Sequence, residues 1–282
     1  MKVFDLEAWL AERARRVETA LRACLDAGEG TAWPEPLGRA MTAGTSGGKR
    51  LRAAIVLAAA DAVGSKEPPL GAACAVELVH CYSLIHDDLP SMDDAAERRG
   101  EPTVHRVSGE AAAILAGDAL LALAFEVLAR EGVERGRPAE YLDAVRELGR
   151  AAGPRGMVGG QAIDLAQKQR PPSTLRELEL CHGAKTAAMF SAAAAIGARV
   201  GGGSADETQV LRGYGFDLGL AFQHADDLDD REHLALAAEA RRRTRELGAR
   251  ATRAVERFGA AAQPLQALVE RVVRPVVAVE KA

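Results

Sequence analysis

Ser83-Leu84-Ile85-His86-Asp87-Asp88-Leu89-Pro90-Ser91-Met92-Asp93-Asp94 closes one long apolar stretch, and Phe222-Gln223-His224-Ala225-Asp226-Asp227-Leu228-Asp229-Asp230 closes another. Apolar residues approach both at helical spacing, so each acidic group sits near the end of a helix. The C-terminal end of a helix carries partial negative charge and disfavours carboxylates. Crowded carboxylates also repel one another, more strongly when partly buried. Either cluster alone also reads as a solvated helix end. Two in one chain point to a strongly positive partner, and hard divalent cations meet that need. Asp226 and Asp230 are four apart and share a helix face, with Asp227 beside it. Pro90 disturbs the first helix just after Asp88, leaving Asp93 and Asp94 in a turn that can fold back toward Asp87. Magnesium takes oxygen ligands, one or two carboxylates with water and phosphate, so facing clusters would clamp a diphosphate between several ions.

The rest of the chain also reads as helix. It is rich in Ala, Leu, Arg and Glu, with 4% aromatics and no run of β-branched alternation. Pro68-Pro69 can open a helix from Leu70 to about Asp88. Ser108 can cap one from Gly109 to about Arg130. Thr174-Leu175-Arg176-Glu177 and Ser204-Ala205-Asp206-Glu207 match the capping box and would start helices running to about Ile196 and Asp230. The breaks at Gly201-Gly202-Gly203 and from Gly132 to Pro138 are too short for domain linkers. The expectation is an all-α fold: one domain over residues 1–282, a bundle of about ten helices.

Composition narrows the function. The 282 residues are 48% hydrophobic and 27% charged, with net charge −4, enough to bury a sizeable core. Mild acidity and the lack of a basic stripe argue against nucleic acid. No apolar run approaches the ~20 residues of a membrane span. Met1-Lys2-Val3-Phe4-Asp5 lacks the apolar segment of a signal peptide. Cys24, Cys74, Cys81 and Cys181 have no zinc spacing and read as reduced thiols, so a cytoplasmic location is expected.

Gly47-Gly48-Lys49-Arg50-Leu51-Arg52 precedes the apolar run Ala53 to Ala60, which puts its cations in the first turn of a helix. The macrodipole does not favour cations there, whereas free N–H groups, two glycines and three cations suit phosphate. A solvated basic turn is the bland alternative. His80 lies two turns before Asp87 on the same face, and Arg98-Arg99 follows the first cluster. Gly159-Gly160-Gln161 interrupts an apolar helical pattern, which close helix packing also explains. Lys185-Thr186 lies in an Ala-rich helix, where a lysine needs an anion or a route to water. Gln223 is three residues before Asp226, on nearly the same face.

From about Gly44 to Asp230 these segments, in collinear order, resemble the trans-isoprenyl diphosphate synthases. The resemblance rests on Gly47 to Arg52, His80, Asp87 to Asp94, Arg98-Arg99-Gly100, Gly117-Asp118-Ala119-Leu120, Gly160-Gln161, Lys185-Thr186 and Gln223 to Asp230. It implies a bundle around a central cavity, usually a homodimer, that condenses isopentenyl diphosphate with an allylic diphosphate, dimethylallyl or geranyl. It implies that Lys49, Arg52, His80 and Arg99, with Gly48 in the same loop, hold isopentenyl diphosphate. Asp87, Asp93 and Asp226 would ligate magnesium ions, supported by Asp88, Asp227 and Asp230. Arg98 and Lys185 would contact the allylic diphosphate, and Thr186 and Gln223 would present oxygens to the developing allylic cation. Tyr82, five residues before Asp87, resembles an aromatic floor that stops growth at fifteen carbons, although helix projection alone puts Ser83 nearer the Asp87 face. The implied product is farnesyl diphosphate.

The chain departs from the family after Asp230. Family members continue through a loop with another Gly-Lys and a Lys-x-Thr-Tyr segment. Here Arg231-Glu232-His233-Leu234 runs almost directly into a helix from Ala235 to about Arg257, and no residue is assigned to the absent lysine. Other readings are a geranylgeranyl or geranyl diphosphate synthase, a non-catalytic prenyl-synthase-like subunit, and a class I terpene cyclase. Lys49, Arg52 and His80 argue against the cyclase, which needs no isopentenyl site.

Overall fold

Local signals set most helix starts in the computed structural model, which describes residues 4–26 and 33–278. Met1 to Val3, part of the segment read against a signal peptide, lie outside the described residues. Asp5 caps α1 (Leu6–Leu25) by accepting from the Ala8 amide at 3.0 Å. α2 (Glu35–Thr45), α3 (Leu51–Ala62) and α4 (Leu70–Asp87) follow, the last opening directly after Pro68-Pro69. A two-residue hairpin, β1 (Glu97–Arg98) and β2 (Glu101–Pro102), leads to the single turn α5 (Val104–Ser108). Then come α6 (Glu110–Glu134), α7 (Pro138–Ala152), α8 (Met157–Gln169), α9 (Leu175–His182) and α10 (Ala188–Gly201). α11 (Ala205–Asp229), α12 (Ala237–Val255) and α13 (Gln263–Ala278) complete the all-α architecture.

The capping signals differ in outcome. Ser204 and Glu207 form the complete reciprocal box. Thr174 accepts from the Glu177 amide at 3.2 Å, but the Glu177 carboxylate turns to Ser173 instead, accepting from its amide at 2.8 Å. Ser108 does not cap α6. It ends α5, and Gly109, at φ 86°, is the N-cap without a side-chain bond. A non-glycine residue rarely adopts that conformation, so the glycine decides the boundary.

The inner helices pack closely because their contact faces are small. Ala53 to Ala60 of α3 are all buried, as is most of α10. Arg50, at φ 50°, precedes α3 and is buried. Its Nε donates to Glu18 at 2.7 Å, and Nη1 lies 3.6 Å from Glu77, whose carboxylate accepts from the Ala53 amide at 3.0 Å. This buried network pins the basic loop to α1 and α4.

α6 stands out among the inner helices. It is long and apolar enough by length and composition to cross a membrane, with a window of mean hydropathy 2.0. Asp118 and Glu126 hide that run from a search for unbroken apolar sequence. One face, including Ala113, Ala116, Gly117 and Leu120, is buried in the bundle, while Ile114 and Leu115 on the other remain exposed.

Candidate active site

A cavity of about 1340 Å³ runs through the bundle. Asp87 of α4 and Asp226 of α11 both line it, so the two acidic clusters meet in one space. The first cluster folds back as expected: the Asp93 amide donates to the Asp87 carbonyl at 2.9 Å and the Asp94 amide to Leu89 at 3.1 Å.

The six acids of the expected metal set divide by environment. Asp88 is 4% exposed, and Arg98 grips it through Nε, at 2.9 Å from Oδ1 and 3.0 Å from Oδ2, and Nη2, at 2.6 Å from Oδ1. Its carboxylate therefore positions Arg98 rather than facing the cavity. The hairpin turn makes this possible: Arg99 at φ 57° and Gly100 at φ 80° reverse the chain in two residues. Asp93 accepts from Lys168 Nζ at 2.5 Å. Asp227 is 6% exposed, 3.2 Å from His182 Nε2, and accepts from Gln223 Nε2 at 3.0 Å. It too is a supporting group behind the wall. Asp230 is exposed at the end of α11, its amide bonded to the Asp226 carbonyl at 2.9 Å. Asp229, absent from the expected set, lines the cavity with Asp226. Their spacing of three places them on one helix face, a signal the sequence did carry.

Crowding marks the cavity acids. Burial, with Asp93 and Asp88 nearby, outweighs the pull of Lys185 and Arg98 and holds Asp87 up to about 6. Asp226 is raised by burial and then by Asp230, Asp227 and Asp229. Both sites thus favour a cation that relieves the repulsion. In Asp227, by contrast, hydrogen bonding and charge from His182 outweigh burial and lower the value.

Lys49, Arg52, His80, Arg98 and Arg99 line the same cavity. The cations do not all occupy a helical first turn as expected. Lys49 lies in the loop, Arg50 is consumed by Glu18 and Glu77, and only Arg52 is helical. Arg52 Nη1 lies 3.2 Å from His80 Nε2. A guanidinium can only donate, so that ring nitrogen accepts and the imidazole is neutral. Burial and the Arg52 charge accordingly push His80 well below its ordinary value. His80 can offer an N–H to an anion, but not a charge. Gly48, at φ 100°, leaves room for Arg99: a Cβ there would sit 2.6 Å from its guanidinium.

The expected helix from Thr174 to Ile196 contains a π-helical turn at Gly183–Ala187. This widened turn presents both Lys185 and Thr186 to the cavity. Lys185 Nζ donates to Asp164 at 2.7 Å. Thr186 Oγ1 donates to Gln223 Oε1 at 2.9 Å, and Gln223 in turn donates to Asp227. The chain Thr186–Gln223–Asp227 fixes which end of the amide carries oxygen. Gly160 lets α8 approach, since a Cβ would overlap the Lys185 backbone, so close packing and site positioning are one function here. The next residue, Gln161, lines the cavity 9% exposed with neither amide atom hydrogen-bonded.

Tyr82 and Ser83 both line the cavity. The Tyr82 ring meets His86 edge-on at 5.6 Å. Arg241 of α12 also faces inward. Its neighbours Arg242 and Arg243 pair with glutamates; among the described residues no ion pair is formed by Arg241.

Residues 34–234 match the polyprenyl synthetase family model. The chain belongs to that family. It is thus a member of a trans-prenyltransferase family. Farnesyl diphosphate synthase of Geobacillus stearothermophilus is 45% identical over 235 residues, 82% of this chain and 77% of that enzyme. Geranylgeranyl pyrophosphate synthase 12 of Arabidopsis thaliana, chloroplastic, is 44% identical over 230 residues, 80% of this chain; the match spans 63% of that relative's own length. Among solved structures, an FPP/GFPP synthase from Zymomonas mobilis superposes with TM-score 0.87 at 36% identity, covering 95% of this chain and 98% of that one. A geranyltransferase from Legionella pneumophila gives TM-score 0.87 at 31% identity, covering 97% and 98%.

Proposed function

We propose that this chain is a magnesium-dependent short-chain prenyltransferase that joins isopentenyl diphosphate to dimethylallyl or geranyl diphosphate, giving mainly farnesyl diphosphate. The observation that carries this reading is one cavity lined by carboxylates from two helices, a cationic group around Arg52, and apolar side chains. Lys49, Arg52 and Arg99, with the neutral His80, bind the isopentenyl diphosphate. Arg98, braced by Asp88, and Lys185 face the allylic diphosphate. Asp87 and Asp226, with Asp229 and Asp93, are the groups that fit magnesium ions, because their mutual repulsion is uncompensated or held only by lysine. Bound there, the ions would offset charge growing on the departing diphosphate. Thr186 and Gln223 hold oxygens toward the cationic carbon, and Phe190 and Phe222 help exclude water. No side chain is needed as base; the released diphosphate can take the proton.

Tyr82 supports a fifteen-carbon limit. The names of the relatives include both farnesyl and geranylgeranyl synthases, so the geranylgeranyl product is the alternative. A non-catalytic role is the second reading, favoured by the short connection from Asp230 through a 3₁₀ turn (Leu234–Leu236) to α12. We further propose one domain, a homodimer packed on the exposed Ile114–Leu115 face of α6, and a cytoplasmic site of action. The test is product analysis with each primer, with and without magnesium. Magnesium-dependent prenyl products support the reading; none with any primer overturns it in favour of the non-catalytic subunit.

A further inference from the structure

Arg52 is a cation of the cavity that no carboxylate holds. Arg50 is paired with Glu18 and Glu77, and Arg98 with Asp88. Arg52 forms no ion pair among the described residues. Its Nη1 meets the neutral His80 at 3.2 Å, and its Nε is buried without a hydrogen-bond partner. Burial pushes Arg52 below its ordinary value against the pull of Glu77, and the Arg99 charge adds to the push. What seats this side chain is a ring. The guanidinium carbon lies over Phe190, 5.0 Å from the ring centroid. That is within reach of cation–π attraction, which strengthens as water is excluded.

The ring is itself held in place. Phe190 of α10 is buried. Phe222 of α11 lies against it, with ring centroids 5.3 Å apart and planes inclined by 35°. Gly215 and Gly219 let α11 come close. A Cβ on Gly215 would sit 2.4 Å from the Phe190 carbonyl oxygen, and one on Gly219 would sit 3.0 Å from the Phe190 Cβ. The aromatic face therefore has a fixed position beneath the guanidinium.

We propose that Phe190 is a positioning residue for isopentenyl diphosphate: its ring stands in for a counter-ion and holds Arg52 flat, with the N–H edge free for the diphosphate. This inference rests on the proposed function. A guanidinium donates from its edge and stacks through its face, so both contacts persist once the anion arrives. A carboxylate in the ring's place would compete with the diphosphate for the same N–H groups. A leucine would fill much of the space but has no negative face. Arg52 would then be free to turn toward Glu77, whose pull it already feels.

The experiment measures binding of inorganic pyrophosphate by calorimetry in magnesium-free buffer. Without ions the carboxylates of Asp87 and Asp226 repel an anion, which leaves the cationic group around Arg52 as its site. Wild type should bind, Phe190→Leu about tenfold more weakly, and Phe190→Tyr close to wild type. No binding by wild type, or equal binding by wild type and Phe190→Leu, overturns the proposal. Trifluorophenylalanine placed at position 190 alone guards against a leucine variant that does not fold. It nearly keeps the ring's outline and drains its negative face, so affinity should fall as well; an unchanged affinity overturns the proposal. In steady state, Phe190→Leu should raise KM for isopentenyl diphosphate and leave KM for the allylic substrate unmoved. Equal rises in both would make Phe190 a packing residue and overturn its positioning role. A wild type that makes no prenyl product refutes the proposed function instead, and the pyrophosphate comparison still decides whether Phe190 seats Arg52.

Discussion

Tyr82→Ala probes the cavity floor directly. Tyr82 is 6% exposed and its ring abuts His86. Truncating an aromatic in a closed core costs about 3–5 kcal/mol, most where a new void is left. Here the vacated space would join an existing cavity of about 1340 Å³, so the loss belongs at the lower end. His86 keeps its contact with the Ile114 carbonyl at 3.1 Å. The gain falls on the growing hydrocarbon. One more isoprene unit buries five carbons, worth about 4 kcal/mol at ~0.8 kcal/mol each. At about 1.4 kcal/mol per tenfold, that is nearly a thousandfold in retention of the longer chain. With isopentenyl and geranyl diphosphates as substrates, chromatography of dephosphorylated products should show fifteen carbons for wild type and for Tyr82→Phe. Tyr82→Ala should pass to twenty and beyond. A folded Tyr82→Ala enzyme whose products are no longer than wild type refutes the floor.

Four further outcomes follow from the site. Because burial holds Asp87 up to about 6, protons compete with a metal ion below that pH. At limiting magnesium, turnover should fall about tenfold per pH unit below 6, and excess magnesium should move the fall lower; a profile indifferent to magnesium counts against Asp87 as a ligand. The same shift means that ionising Asp87 costs stability without ligand as pH rises from 3.8 toward about 6, a loss visible in thermal midpoints. Gly160→Ala forces α8 off the π-helical turn and should cost about 1–3 kcal/mol by overpacking, with a fall in kcat that Ala162→Gly does not reproduce; unchanged kcat would show that the turn needs no support from α8. Arg241→Ala should raise KM for the allylic substrate about tenfold or more, the scale of one charge-assisted hydrogen bond, while KM for isopentenyl diphosphate stays put; equal KM values for both substrates would place Arg241 outside the site.

Short-range chemistry was legible in the sequence. Ser204 with Glu207, and the proline pair before Leu70, fix helix starts within a few residues. The two acid clusters were identifiable because charge there runs against helix energetics, Gly47 to Arg52 by two glycines beside three cations, and His80 by its register with Asp87. Partnerships set by tertiary contact were not. Which of Asp87 and Asp88 faces inward depends on Arg98, delivered by a hairpin reversal. Asp227 is turned from the cavity by His182, forty-five positions earlier. The π-helical turn leaves the apolar pattern of Gly183 to Ala195 almost unchanged, so periodicity cannot reveal it. Arg241 looks like any surface arginine until its neighbours are seen to take the available glutamates.

On the proposed function, Lys168 with Asp93, and Lys185 with Asp164, would make loading of the site an exchange rather than a filling. A dication arriving alone must evict an ammonium group and strand it. An anion arriving alone must pull a lysine away and leave a bare carboxylate behind. Arriving together, each takes one half of a divorced couple, and no orphan charge is created. The protein would therefore bind either component poorly by itself and the pair well, a synergy written into two short ion pairs.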